Sequence, residues 1–302
     1  MVTIRSDYLS PLSHWKQPFA ERVADGAARL AASRVAIVGL ARNCCGELSA
    51  NLQRLQEFTS LCKSWQLHIE SNDCKDDTVK VLHSFCQQFR QATFQYQDLG
   101  RGQFSAEFAG RRTIAMAEYR DACQRWVRDC AADSDYVVVI DFDQWGGWSH
   151  SGLLNGLGWL VELQGAYGMA SVSLFQYDFG SGPQWAHYDL WALRGVGQSR
   201  CYWDTYTNGY GGFGYGWLPA VGSPPVLVSS AFGGLCVYRT AAYLAGTYDG
   251  TDCEHVTFHR SIAERTGQHL YLCPAMRTVM HWMEPADAGN GVNSVPDVSG
   301  DA

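Results

Sequence analysis

Hydrophobic positions in this chain alternate between short continuous runs and helically spaced stretches. The runs Val35-Ala36-Ile37-Val38-Gly39-Leu40 and Tyr136-Val137-Val138-Val139-Ile140 read as strands covered on both faces. Leu48, Leu52, Leu55 and Phe58 carry helical spacing through residues 45–65, and Leu67-His68-Ile69-Glu70 reads as a second strand. A polar turn from Ser71 to Thr78 follows, with aspartates able to cap a helix beginning near Thr78. Residues 94–96 form a third strand and residues 111–129 a long helix. This alternation predicts an α/β fold with a mostly parallel, doubly wound, Rossmann-like sheet flanked by helices.

The same pattern sets the expected boundaries. Residues 1–25 read as an N-terminal arm and residues 27–33 as a short helix, ahead of a single domain over 26–284. Within it, residues 151–167 read as a helix and 171–175 as a strand. The glycine-rich stretch 207–217 reads as a mobile aromatic loop, a hypothetical lid, and 285–302 as a flexible, solvated tail.

The strand at 136–140 ends in Asp141-Phe142-Asp143. Ligand crevices in such sheets open at the carboxyl ends of strands. Two carboxylates one residue apart repel each other and resist desolvation unless a cation or a set of donors compensates them. A divalent ion bridging to a diphosphate meets that need; a strand-end aspartate capping a turn is the plainer alternative.

Composition narrows the choice. Charged residues make up 18% of the chain and aromatic residues 13%, with 11 Trp, so ring faces are available for sugar or base stacking as well as for core packing. A net charge of −7 argues against sequence-independent nucleic-acid binding, which needs a basic footprint. The first residues carry no apolar signal-peptide core and no apolar run reaches about 18 residues, so a soluble, cytoplasmic protein without a transmembrane segment is expected. The 11 cysteines include no C-x-x-C pair and read as reduced thiols.

From residue 34 to residue 284 these pieces resemble the GT-A class of nucleotide-sugar-dependent glycosyltransferases, with a looser similarity to the branch of fungal capsule-associated mannosyltransferases. The resemblance implies a hexosyltransferase-like enzyme. Residues 26–150 would form its nucleotide-binding half and 151–284 its acceptor half. It implies donor contacts from Arg42 after the first strand, from Glu70, Asn72 and Asp73 after the second, and from Arg112 or Arg120, which lie about two helical turns apart and so on one side of their helix. Asp141 and Asp143 match the D-x-D motif, Asp143 for the metal and Asp141 for ribose or a metal-bound water. His281 is placed to complete the metal shell, and Mn²⁺ or Mg²⁺ is the implied cofactor. The Gly233-Gly234 turn lets backbone approach the donor sugar.

The acidic pair common to this class is split here into Asp252 and Glu254, either of which is a candidate general base, and His255 follows. Trp191, Trp217 and His255 are candidate contacts for a carbohydrate or glycoconjugate acceptor. His255 and His259 share the i, i+4 spacing of zincin helices, but Val256 stands where that motif needs Glu, so zinc hydrolysis is disfavoured. A sugar-1-phosphate nucleotidyltransferase would need a glycine-rich, basic segment after the first strand, and residues 40–46 lack it. A non-catalytic nucleotide- or carbohydrate-binding protein of the same fold is the remaining alternative.

Overall fold

The computed structural model describes residues 6–102, 110–178, 183–198 and 211–280. The apolar runs become the middle of a mixed eleven-stranded sheet. Its strands are β1 (Arg34–Leu40), β2 (Ser64–Asn72), β3 (Ala92–Gln97), β4 (Tyr136–Asp141), β5 (Gly147–Trp148), β6 (Ala166–Asp178), β7 (Pro183–His187), β8 (Arg194–Gly195), β9 (Val226–Ser230), β10 (Leu235–Arg239) and β11 (His269–Val279). The order is β3-β2-β1-β4-β10-β6-β11-β9-β8, with β5 paired to β11 and β7 to β6. β3, β2, β1, β4, β6 and β11 run one way, and β10 is inserted antiparallel between β4 and β6. The expected α/β domain with a largely parallel sheet is therefore present.

The continuous apolar runs have a direct explanation. Ile37, Tyr136, Val138 and Ile140 enter one core cluster, while Ala36, Val38, Val137 and Val139 enter another on the opposite face. Successive side chains point to opposite faces, so a strand covered on both sides has no polar position to offer. The helices are α1 (Lys16–Ala31), α2 (Cys45–Thr59), α3 (Thr78–Gln88), α4 (Arg111–Cys130), α5 (His150–Glu162), α6 (Gly211–Gly216), α7 (Thr240–Ala245) and α8 (Glu254–Thr266). Those of α1, α2, α3 and α5 cover the first cluster, and those of α4, α7 and α8 the second. Among the described residues no helix is long and apolar enough to cross a membrane.

Two expectations change. The helix expected at 27–33 begins at Lys16, so residues 16–25 belong to α1 rather than to an arm. Pro18 lies in its first turn, where its missing N–H has no intrahelical partner to lose. α1 packs closely on α5: a Cβ on Gly26 would meet the Leu154 carbonyl oxygen at 1.8 Å, and one on Gly158 would meet that of Arg22 at 2.2 Å. In the glycine-rich stretch, residues 211–216 form the short helix α6 rather than a loop, and residues 207–210 lie outside the described residues. The expected tail, 285–302, lies outside them as well.

Candidate active site

The carboxyl ends of β1, β2 and β4 open into a cleft of about 360 Å³ lined by residues from both halves of the chain. β10 runs antiparallel, so it starts at this same edge, and the Gly233-Gly234 turn that precedes it lies beside the end of β4. The Asp141 amide donates to the Gly234 carbonyl at 2.9 Å. Both glycines have positive φ, +66° and +78°, and a Cβ on Gly233 would meet the Ser171 carbonyl oxygen at 2.4 Å. Gly234 lines the cleft, with Gly233 one residue behind it.

The two aspartates have different surroundings. Asp141 accepts a hydrogen bond from Arg120 Nη2 at 2.5 Å. Asp143 is exposed within the cleft and has no ion-pair partner among the described residues. Partial desolvation by the cleft walls and the neighbouring Asp141 charge push its carboxyl up to about 7. The turn that carries it is fixed from below by Asn51, whose amide donates to the carbonyls of Phe142 and Gln144 at 2.9 and 2.8 Å. Among the described residues no group of three or more His, Cys, Asp and Glu side chains converges as a closed metal site. His281 lies outside the described residues.

Arg112 and Arg120 both line the cleft, as their spacing on α4 predicts. Arg120 is buried, lies 3.8 Å through Nε from Glu254 Oε1, and rests over the Phe232 ring at 4.9 Å. Burial opposes its charge, but Asp141 and Glu254 more than offset that, and its pKa is raised. Arg112 instead lies over the Trp191 ring at 4.9 Å. Arg42 lines the cleft too, with its guanidinium donating to the carbonyls of Arg101 at 2.6 Å and Gly102 at 3.3 Å.

At the end of β2, Glu70 and Asn72 face the cleft. His68, stacked on Trp126 at 5.0 Å, holds Glu70 through a 2.9 Å hydrogen bond, and Asn72 donates to the Tyr119 hydroxyl at 3.1 Å. Asp73 does not line the cleft. At φ +47° it accepts from the amides of Leu99 and Arg101 at 2.8 and 3.3 Å, and so builds the adjoining turn.

In the acceptor half, Glu254 and His255 open α8 against the cleft. Burial raises the Glu254 carboxyl against the opposing pull of Arg120. His255 stacks on Phe232 at 3.7 Å, and burial, then Arg120 and His259, hold its imidazole neutral, well below its usual range. Asp252 does not face the cleft, because its carboxylate is turned to Arg194 Nη2 at 3.2 Å and to the Cys253 amide at 2.7 Å. Trp191 lines the cleft, whereas Trp217 packs against the core beside His187, 6.1 Å away. His259 turns inward to the hydroxyls of Ser230 and Tyr238, at 2.9 and 2.8 Å, as a core histidine would.

Sequence reasoning gave no role to several cleft residues, including Tyr119, Tyr188, Asp189 and Phe232. Asp189 accepts from the amides of Gly233 at 2.8 Å and Ala192 at 3.3 Å, and burial raises its pKa against those bonds. Its signal in sequence was an aspartate flanked by Tyr188, Leu190 and Trp191, an acidic residue in an otherwise aromatic and apolar stretch.

No protein-family model matches the chain, and no curated protein matches it in sequence. Its fold is similar to those of several solved structures. The mannosyltransferase PcManGT from Pyrobaculum calidifontis, in complex with GDP-Man and Mn²⁺, is 14% identical over 88% of this chain and 67% of that one, with a TM-score of 0.47. S. aureus TarS 1–349 in complex with UDP-GlcNAc is 10% identical over 85% of this chain and 61% of that one, with a TM-score of 0.47. M. tuberculosis glucosyl-3-phosphoglycerate synthase is 12% identical over 90% of this chain and 79% of that one, with a TM-score of 0.46. At these identities the likeness concerns the path of the chain and says nothing of substrates.

Proposed function

We propose that the chain is a metal-dependent glycosyltransferase that moves a sugar from a nucleoside-diphosphate sugar to a hydroxyl of a glycan or glycoconjugate. The observation that carries this reading is the Asp143 carboxylate, which has no ion-pair partner among the described residues and lies beside Asp141 in the same cleft as Arg112 and Arg42. A carboxylate left without a cation beside a second carboxylate fits a hard divalent ion, and arginines opposite fit phosphate. Asp143 and Asp141 would hold Mn²⁺ or Mg²⁺, with His281 as a further ligand. When bound, such an ion supplies Lewis-acid charge that offsets the charge developing on the departing diphosphate.

The chain's own residues do the rest. Arg112 binds phosphate oxygens, and Glu70 and Asn72 take the base or ribose. Gly234, without a side chain, leaves room for the donor sugar. Glu254 takes the proton of the acceptor hydroxyl, and its raised pKa moves it toward the operating range of a general base. Arg120, bonded to Asp141 and close to Glu254, ties the donor and acceptor sides together.

Thermal unfolding with UDP, GDP and Mn²⁺, followed by assays of nucleoside-diphosphate release from a panel of sugar donors, tests the reading. A rise in melting temperature that needs both nucleotide and metal, with release that depends on added acceptor, is the expected result. Binding without release across the panel would instead indicate a non-catalytic protein of the same fold, and no binding would refute the nucleotide site itself.

A further inference from the structure

The end of β2 holds a chain of hydrogen bonds whose protons can be counted. His68 and Glu70 are both buried and share a face of the strand with Asn72. The Thr93 hydroxyl donates its one proton to the Leu67 carbonyl at 3.1 Å, so its 2.9 Å contact with His68 Nδ1 needs a proton on that nitrogen. His68 Nε2 lies 2.9 Å from Glu70 Oε1. A ring protonated on Nδ1 alone would set two lone pairs against each other there, so this contact needs a proton as well. Imidazole is a stronger base than carboxylate, which places that proton on the ring. The Trp126 indole stacks on it at 5.0 Å, with 10° between the planes, and its face favours a cation. Neighbours on this side of the sheet bring no competing charge. Val38 and Leu40 on β1 and Thr93 and Gln95 on β3 are neutral. On α4, burial pushes the Cys123 thiol up to about 12, and Arg120 is committed to Asp141 and Glu254.

We propose that His68 is a positioning residue of the donor site: as an imidazolium it holds Glu70 ionised and fixed through Oε1, leaving Oε2 as an acceptor for the nucleoside. This rests on the glycosyltransferase reading, in which Glu70 meets the base or ribose, and deepens it. Among the described residues the Glu70 side chain has no partner besides His68, and it faces the cleft. An ionised carboxylate has no proton to give, so the group it meets is a donor, a ribose hydroxyl or a base N–H. Hydrogen bonds to such a carboxylate are charge-assisted and strong. Phosphate oxygens are acceptors and find no partner at this end of the cleft. His68 therefore acts on the nucleoside part of the ligand and not on its diphosphate.

In protein with ¹⁵N-labelled histidine, the His68 ring signals are identified by their loss in H68Q. At about pH 7.5, where an ordinary histidine is mostly neutral, both of its ring nitrogens are expected to resonate as protonated. An unprotonated nitrogen overturns the proposal. GDP, UDP and inorganic pyrophosphate are then titrated with Mg²⁺ by calorimetry. H68F is expected to weaken nucleoside diphosphate binding by about tenfold or more and to leave pyrophosphate binding unchanged, which also shows that the variant is folded. H68Q, whose amide can still donate to Glu70, is expected to fall between H68F and wild type. In an E70Q background H68F is expected to cost nothing further, because its effect passes through Glu70. No loss in H68F, equal losses for nucleotides and pyrophosphate, or a loss that persists in full in E70Q overturns this proposal alone. Failure of all three ligands to bind wild type overturns it together with the glycosyltransferase reading.

Discussion

Asp143 carries a cost that the fold does not relieve. With its carboxyl near 7 in the folded chain and about 3.9 when unfolded, it is protonated in both states below about pH 4. Between about pH 4 and 7 the unfolded chain gives up the proton first, so the native state is increasingly penalised; above 7 the penalty is complete. Asp143→Asn removes it. In chelator the variant is expected to gain on wild type between pH 4 and pH 8, by well under the about 4 kcal/mol that the full shift would give, because solvent reaches the carboxylate. Urea unfolding at the two pH values checks this, and the same variant should lose stabilisation by nucleotide and Mn²⁺. His259 shows the opposite sign. Burial lowers its pKa to about 3, so as pH falls below about 6.5 the unfolded chain takes up a proton that the folded one refuses. Stability from the neutral ring is complete above 6.5 and is lost on acidification. His259→Gln cannot titrate, so its deficit against wild type should shrink by about 2 kcal/mol between pH 7 and pH 5; an unchanged deficit would mean that the ring is not held neutral.

At the scale of elements, the contact of α1 with α5 is the most exacting. Each helix presents a glycine where the other's backbone passes, and a methyl group has no room there. Gly26→Ala is expected to destabilise the protein by about 3 kcal/mol, measurable by denaturant titration, although alanine favours an isolated helix. The same glycine helps explain why the start of α1 was hard to see in sequence. Phe19, Val23, Ala27 and Leu30 keep helical spacing, but polar residues at Lys16 and Gln17 and the small residues at the crossing weaken the apolar stripe. The central strands were legible for the converse reason, since burial on both faces leaves no polar position in Val137-Val138-Val139. At the site, spacing placed Arg112 with Arg120 and located the Asp141 strand end. It could not distinguish a tryptophan on the cleft from one in the core, so Trp191 and Trp217 read alike. Nor could it show that Asp252 turns to Arg194, a partner 58 residues away.

On the scale of the whole molecule, the two halves inferred from sequence share one core. β4 is flanked by β1 and by β10, and the first core cluster joins Ile37 and Leu52 with Leu157 and Met276. A fragment of residues 1–150 is therefore expected to lack cooperative unfolding in urea, because it leaves the β4 edge unpaired and much of that cluster uncovered. A sharp transition with native-like ellipticity would refute this. The reversed direction of β10 has one more consequence. As the chain is synthesised, Asp141 emerges roughly a hundred residues before the Gly233-Gly234 turn that takes its amide hydrogen bond, and β11 follows later still. The acidic strand end thus cannot be set in its final geometry until the chain through β11 has left the ribosome, so a product terminated before the Gly233-Gly234 turn would carry the D-x-D residues without an assembled pocket around them.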